Sequence, residues 1–234
     1  MRLSQHFLID ERIAERQIKY ANLNENDIVL EIGAGNGILT KKIAKIAKVI
    51  AIEIDRRFVE KLKKIRNVEV INADILKIDL NEIEFNKVIS NLPYHISSPI
   101  TFKLLEKKFE LGILMYQKEF AERMVAKAGS KNYSRLSVMV YYKADCELLE
   151  YVPKEAFRPI PKVDSCIVKI VPIGKRFNVN EKLFEKVVRI LFSHRRKKIK
   201  NALKHEVPYG DMRVEQIEPE KIAEICNFLE NENI

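Results

Sequence analysis

The stretch Asp27-Ile28-Val29-Leu30-Glu31-Ile32-Gly33-Ala34-Gly35-Asn36-Gly37 reads as a short apolar strand running into three alternating glycines, and a helical pattern follows from Gly37 to about Ala47. Glycines at such a turn let the backbone bend sharply and approach a ligand without interference from Cβ. Working outward, Val49–Ile54 is a second buried strand, Val68–Asn72 a third, Lys87–Ser90 a fourth and Leu111–Tyr116 a fifth. Helical patterns at Arg57–Ile65, Pro99–Lys107 and Glu119–Ala128 alternate with them, and another runs from Asp10 to about Asn22. Strands that are almost continuously Val, Ile and Leu, separated by helices, predict a parallel sheet covered on both faces.

The pattern changes further along. Cys146–Val152 and Ser165–Val171 are strand-like, with the proline-rich Val152–Lys162 and no helix between them. That predicts an antiparallel hairpin at one edge, giving a mostly parallel α/β sheet of seven strands. Beyond Gly174 only helical patterns remain, at Glu181–Phe192, Lys197–Lys204 and Glu220–Glu230. The expected domains are residues 1–174 and a small all-helical domain at 175–234.

Composition narrows the function classes. The 234 residues are 47% hydrophobic and 32% charged, enough for a sizeable core in a soluble chain, and no stretch has the roughly 18 uncharged apolar residues of a membrane span. The start carries no export-signal pattern. Cys146, Cys166 and Cys226 are far apart and in no CxxC spacing, and the four histidines form no HExxH. A cytoplasmic, metal-free protein is expected. Abundant Lys and Ile with only 7 Gly is a composition seen among thermophile proteins. The net charge of +9 points to a polyanionic partner, and it is concentrated: residues 175–204 hold eleven Lys/Arg against two Glu, whereas residues 205–234 are acidic. His194-Arg195-Arg196-Lys197-Lys198-Ile199-Lys200 is the densest run, read either as a solvated helix end or as a contact with RNA phosphates.

The chemistry gathers at the carboxyl ends of the strands, where open α/β sheets bind ligands. Glu53 ends the second strand and suits ribose hydroxyls. Asp74 follows the third, placed to accept a hydrogen from an adenine amino group, and on its own it is equally a helix N-cap. The spacing is G-x-G-x-G, with Ile38 where a dinucleotide site would have its third glycine, and Gly33, Gly35, Glu53 and Asp74 taken together describe a pocket for an adenosine bearing a small polar group. Behind the fourth strand comes Asn91-Leu92-Pro93-Tyr94. An exocyclic adenine amine is a poor nucleophile because its lone pair is delocalised into the ring. Accepting both of its hydrogens, at the Asn91 side-chain carbonyl and the Leu92 backbone carbonyl, favours a pyramidal nitrogen. Pro93 fixes the local φ, and Tyr94 offers a face for a flipped base.

With those residues in place, the chain resembles the KsgA-type rRNA adenine dimethyltransferases, which share a fold with the Erm-type resistance methyltransferases. The resemblance covers nearly the whole chain. Gln5-His6-Phe7-Leu8 is similar to a family segment that closes over the methionine part of the cofactor, with Ser4 and His6 where the family has Gly and Asn. Glu31–Gly37 resembles the cofactor turn, Glu53-Ile54-Asp55 the ribose-binding strand end, Ala73-Asp74-Ile75 the adenine contact and Asn91–Tyr94 the catalytic motif. Phe157–Ser165 resembles a substrate-side loop in which Phe157 stacks on the target base opposite Tyr94, and Phe192–Lys197 a basic segment of the C-terminal domain.

The resemblance implies a class I (Rossmann-like) methyltransferase fold, S-adenosylmethionine as cofactor, and N6,N6-dimethylation of adenosines in small-subunit rRNA of a pre-ribosomal particle by a monomer. The implied catalytic residues are Asn91, Leu92, Pro93, Tyr94 and Phe157. Cofactor contacts are implied at Gln5, His6, Leu8, Gly33, Gly35, Glu53, Ile54, Asp74, Ile75 and Asn91, and RNA contacts at Arg195, Arg196, Lys197, Lys198 and Lys200. His95 is read as structural. An Erm-type enzyme acting on large-subunit rRNA, a non-catalytic RNA-binding assembly factor and, at the level of fold, a dinucleotide oxidoreductase are the competing readings.

Overall fold

The computed structural model describes residues 6–232. In chain order the elements are β1 (Phe7–Leu8), α1 (Glu11–Ala21), β2 (Ile28–Ile32), α2 (Thr40–Ile43), β3 (Lys48–Ile52), α3 (Arg56–Leu62), β4 (Val68–Ile71), β5 (Lys87–Asn91), α4 (Ser97–Leu105) and β6 (Leu111–Gln117). They continue with α5 (Lys118–Met124), α6 (Arg135–Lys143), β7 (Ala144–Val152), β8 (Phe157–Arg158), β9 (Ser165–Pro172), α7 (Glu181–Ser193), α8 (Ile199–Leu203) and α9 (Pro219–Asn231). No helix among the described residues is long and apolar enough to cross a membrane.

Seven strands form one sheet in the order β4-β3-β2-β5-β6-β9-β7. The pairs β4/β3, β3/β2, β2/β5 and β5/β6 are parallel, and β9 runs antiparallel to β6. Chain order reverses at β2/β5, the kind of switch point where such sheets open a crevice. The opening has a local cause. β2 pairs with β5 only through Val29 and Leu30, whereas β2 pairs with β3 along its whole length. Beyond Leu30 the buried Ser90 hydroxyl spans the gap, donating to the Ile32 carbonyl (2.5 Å) and accepting from the Ile32 N–H (3.2 Å).

α1 follows the sequence expectation. Asp10 caps it through the Arg12 N–H, Asn22 ends it in the left-handed conformation, and Ile13, Ala14, Gln17, Ile18 and Ala21 face inward. The buried Gln17 amide donates to the carbonyls of Ser90 and Ile113, which ties the helix to β5 and β6. The helix expected from Gly37 to Ala47 is regular only over Thr40–Ile43. Around that core its bonds alternate between i−3 and i−4, the tighter winding typical of helix ends. A second, two-stranded sheet has no counterpart in the expectation: β1 pairs antiparallel with β8, Phe7 opposite Arg158 and Leu8 opposite Phe157. Two-residue strands are too short to show a period.

The chain divides into two compact units, one running through Ala121 and including Cys146–Pro172, the other comprising Glu122–Asp145 and the residues from Ile173 onward. The second unit therefore begins its last segment beside the expected boundary and also takes in residues 122–145. Within it, Tyr133 donates to the Ile217 carbonyl (3.0 Å), and Tyr142 packs its ring on Phe177 and Phe184. Tyr141 is 39% exposed and carries the Arg176 guanidinium over its ring.

Candidate active site

At the carboxyl ends of β2, β3, β4 and β5 lies a cavity of about 310 Å³. Its lining includes Gly33, Gly35, Glu53, Ile54, Asp74, Ile75, Asn91, Leu92, Pro93, Tyr94, His6 and Phe157, so residues far apart in sequence converge as expected. Gln5 lies outside the described residues.

The glycine turn is tightly constrained. Gly33 and Gly35 have φ of +73° and +52°, which side chains rarely adopt. A Cβ on Gly35 would also sit 3.0 Å from the Phe7 ring, and one on Gly33 would touch Pro93. Glu53, 3% exposed, holds the turn in place: one carboxylate oxygen accepts from Gly35 N–H (2.8 Å), the other from Asp55 N–H (2.8 Å). Each oxygen keeps a further lone pair for a ligand hydroxyl. Asp74 does what its alternative reading allowed and caps a short 3₁₀ turn at Ile75–Lys77 through the Leu76 N–H (3.0 Å), while still lining the cavity.

Asn91 closes β5 opposite Met115 of β6. Its side-chain oxygen is buried in the cavity wall and has no hydrogen-bond partner. A buried acceptor left unpaired costs about 1–3 kcal/mol, and this one belongs to a residue that lines the cavity. Leu92 is buried and Pro93 has φ of −60°, which turns the chain out of the strand into Tyr94. The Tyr94 hydroxyl lies 2.6 Å from the hydroxyl of Ser165, the first residue of β9. Burial raises the Tyr94 pKa, opposed by that hydrogen bond. Behind the turn, burial pushes the Glu31 carboxyl up to about 8.

For three expectations the structure adds local detail. Leu8 does not line this cavity: along β1 successive side chains point to opposite sides, so Phe7 lines it while Leu8 packs into the core, 5% exposed. Phe157 does line the cavity but is 2% exposed, its ring within the same apolar cluster as Leu8. The basic run is not a free patch either. Arg195 pairs with Glu215, Lys198 with Asp211, and Lys200 with Asp211 and Glu206, whereas Arg196 and Lys197 are exposed. The segment joins the two helices expected there, since α7 ends at Ser193 and α8 starts at Ile199.

Sequence reasoning missed Phe7, Ile52, Leu76, Ile96 and Met115 as lining residues, and His95, read as structural, lies at the cavity mouth. Only Phe7 carried a signal, as a neighbour of His6. Met115 and Ile52 look like any other strand residue until register places them. The Ser165 hydroxyl could not have been tied to Tyr94 without the β6/β9 pairing.

Residues 1–230 match the family described as ribosomal RNA adenine dimethylase. The chain is 47% identical over 248 residues to a probable ribosomal RNA small subunit methyltransferase A of Methanosarcina acetivorans, covering 96% of this chain and 91% of that one. A protein of the same description from Thermococcus kodakarensis is also 47% identical, over 99% of this chain and 90% of its own length. Among solved structures, a dimethyladenosine transferase from Plasmodium falciparum superposes with a TM-score of 0.86 at 31% identity, covering 97% of this chain and 98% of that one. The 23S rRNA methyltransferase ErmE gives 0.74 at 28%, covering 96% and 99%.

Proposed function

The chain belongs to the ribosomal RNA adenine dimethylase family, and from that premise we propose that it methylates the N6 amines of adenosines in small-subunit rRNA at the cavity beyond β2 and β5. The observation that carries the proposal is the buried, unpartnered Asn91 oxygen at the end of β5. In this reading the Asn91 oxygen and the Leu92 carbonyl each accept one amine hydrogen. That localises the nitrogen lone pair and stabilises the positive charge that develops on it, so no strong base is needed. Tyr94 supplies a stacking face and Phe157 backs the cavity from the core.

Members of a methyltransferase family use S-adenosylmethionine, which supplies an electrophilic methyl group. The cavity residues fit such a ligand. The glycine turn leaves backbone open to it, the Glu53 carboxylate retains acceptor capacity for ribose hydroxyls, and Asp74 with Ile75 stands ready for the adenine. Gln5, His6, Gly33, Gly35 and Ile54 complete the proposed cofactor set. Residues 175–234, with Arg196 and Lys197 foremost, are assigned to rRNA phosphates. A cytoplasmic, monomeric enzyme acting on a pre-ribosomal particle belongs to the same proposal.

The test is transfer of labelled methyl to immature small subunits and, in parallel, to large-subunit RNA. Dimethyladenosine in small-subunit RNA is expected. Label confined to large-subunit RNA would make the chain an Erm-type enzyme, and an absence of label would leave a binding protein.

A further inference from the structure

The glycine turn and Asn91 stand across a gap in the sheet. β2 and β5 pair directly only at Val29 with Lys87 and at Leu30 with Val88. Continued at the same register, Ile32 falls opposite Ser90, and Gly33 falls opposite Asn91. In place of a direct backbone bond between the first of these pairs stands one side-chain oxygen. The fully buried Ser90 hydroxyl accepts from the Ile32 N–H at 3.2 Å and donates to the Ile32 carbonyl at 2.5 Å. Both polar groups that Ile32 turns toward β5 are thereby satisfied, which leaves no free pair to draw the strands together. An oxygen placed between two backbones holds them further apart than a direct bond of about 2.9 Å would. On the opposite side the turn is fixed as well, since the Gly33 N–H donates to the Ile52 carbonyl of β3 at 2.8 Å. Beyond the bridge, Pro93 lies against Gly33, where a Cβ would stand 3.4 Å from its ring.

We infer that Ser90 is a positioning residue for methyl transfer, its hydroxyl a spacer that sets the distance between the glycine turn and Asn91. This rests on the reading above, in which the turn receives the cofactor and Asn91 the amine. Ile32 and Ser90 each immediately precede the residue they place, so a change of spacing at the bridge passes to Gly33 and Asn91 with little slack. Transfer needs reacting atoms about 3–3.5 Å apart, and a misplacement of about 1 Å costs on the order of 100-fold in rate. Ser90 is not among the residues lining the cavity, so its loss leaves the binding surfaces in place. The effect belongs in the chemical step. Gln17 supplies the contrast: its amide donates to the Ser90 and Ile113 carbonyls from α1, and it makes no part of the bridge to Ile32.

The experiment compares wild type, Ser90→Ala, Ser90→Thr and Gln17→Leu as full chains. Single-turnover transfer of labelled methyl to immature small subunits is timed with cofactor and subunits saturating, Kd for S-adenosylmethionine is taken by calorimetry, and Tm is recorded. Ser90→Ala should slow transfer by about 10- to 100-fold, with the cofactor Kd within about threefold of wild type. Ser90→Thr, which keeps the oxygen, should recover most of that loss. Gln17→Leu should lower Tm and leave the transfer rate within about threefold of wild type. Should Ser90→Ala not fold, Ser90→Cys replaces it under the same expectation, because a thiol fills the site but is a weak hydrogen-bonding group. A wild-type transfer rate in Ser90→Ala would overturn the assignment. So would a loss confined to cofactor Kd, a Thr variant no faster than Ala, or an equal slowing in Gln17→Leu. A wild type that methylates no rRNA adenine would instead sink the parent reading, and the role of Ser90 with it.

Discussion

The two ends of the parallel sheet treat buried polar groups in opposite ways. Where β2 and β5 begin, Asp27 and Lys87 are both buried and form an ion pair at 2.9 Å. Asn86 donates to the other Asp27 oxygen, the Asn24 N–H donates to Asp27, and the Lys87 ammonium also donates to the Asn22 carbonyl. Burial would raise the Asp27 pKa, but these hydrogen bonds outweigh it and leave the carboxyl below its ordinary value. Where the same strands end, the Asn91 and Glu31 side chains each bury an oxygen with no partner. One end is internally complete and serves stability. At the other end only Asn91 of the two lines the cavity, where a ligand would supply its missing donor.

That contrast can be broken by substitution. Asp27→Ala strands the Lys87 ammonium in the interior and should cost about 3–5 kcal/mol in urea unfolding, with turnover per folded molecule unchanged. A cost below about 1 kcal/mol would mean that this end is not the stabilising one. Asn91→Ala should do the reverse. Turnover falls by about 100-fold or more while cofactor binding persists and the urea midpoint hardly moves, because an unsatisfied acceptor has been removed. Unfolding as severe as that of Asp27→Ala would erase the distinction.

Glu31 sharpens the comparison through pH. Its folded pKa of about 8 lies above the ordinary 4.5, so its contribution to stability is complete below about 4.5. As pH rises the unfolded chain ionises first, and the contribution drains away until pH passes about 8. The wild-type Tm should therefore decline between pH 5 and 8 relative to that of Glu31→Gln, and parallel curves would refute the assignment. The smallest effect is expected away from both ends. Arg196→Ala and Lys197→Ala should each flatten the dependence of log RNA affinity on log salt by about 0.7–0.9, measured by filter binding. Unchanged slopes would move the phosphate contact elsewhere.

Much of this was legible in the sequence because it depends on local patterns. The apolar runs of β2, β3 and β5 and the glycine turn need no tertiary information to be read. The cap at Asp10 and the N-cap role of Asp74 are written in residue type and spacing. What is not legible there depends on a distant pairing. Which of Phe7 and Leu8 lines the cavity is not legible locally, because the facing of a two-residue strand is set by its partner β8, some 150 residues away. The ion pairs of Arg195, Lys198 and Lys200 are not legible in the basic run itself, because Glu215, Asp211 and Glu206 lie downstream in an acidic stretch that folds back on them.

By itself the sequence determined an α/β sheet and singled out Asn91–Tyr94 as the candidate motif at a strand end, since periodicity and turn chemistry act over a few residues. Only the tertiary structure decided which of those groups are satisfied. Whether Asn91 is left wanting a donor, whether Phe157 faces a ligand or the core, and whether the Ser90 hydroxyl meets Ile32 all depend on atoms brought together from remote segments. Burial and hydrogen-bond pairing are properties of that assembly, and the choice between supporting the fold and receiving a ligand is made there.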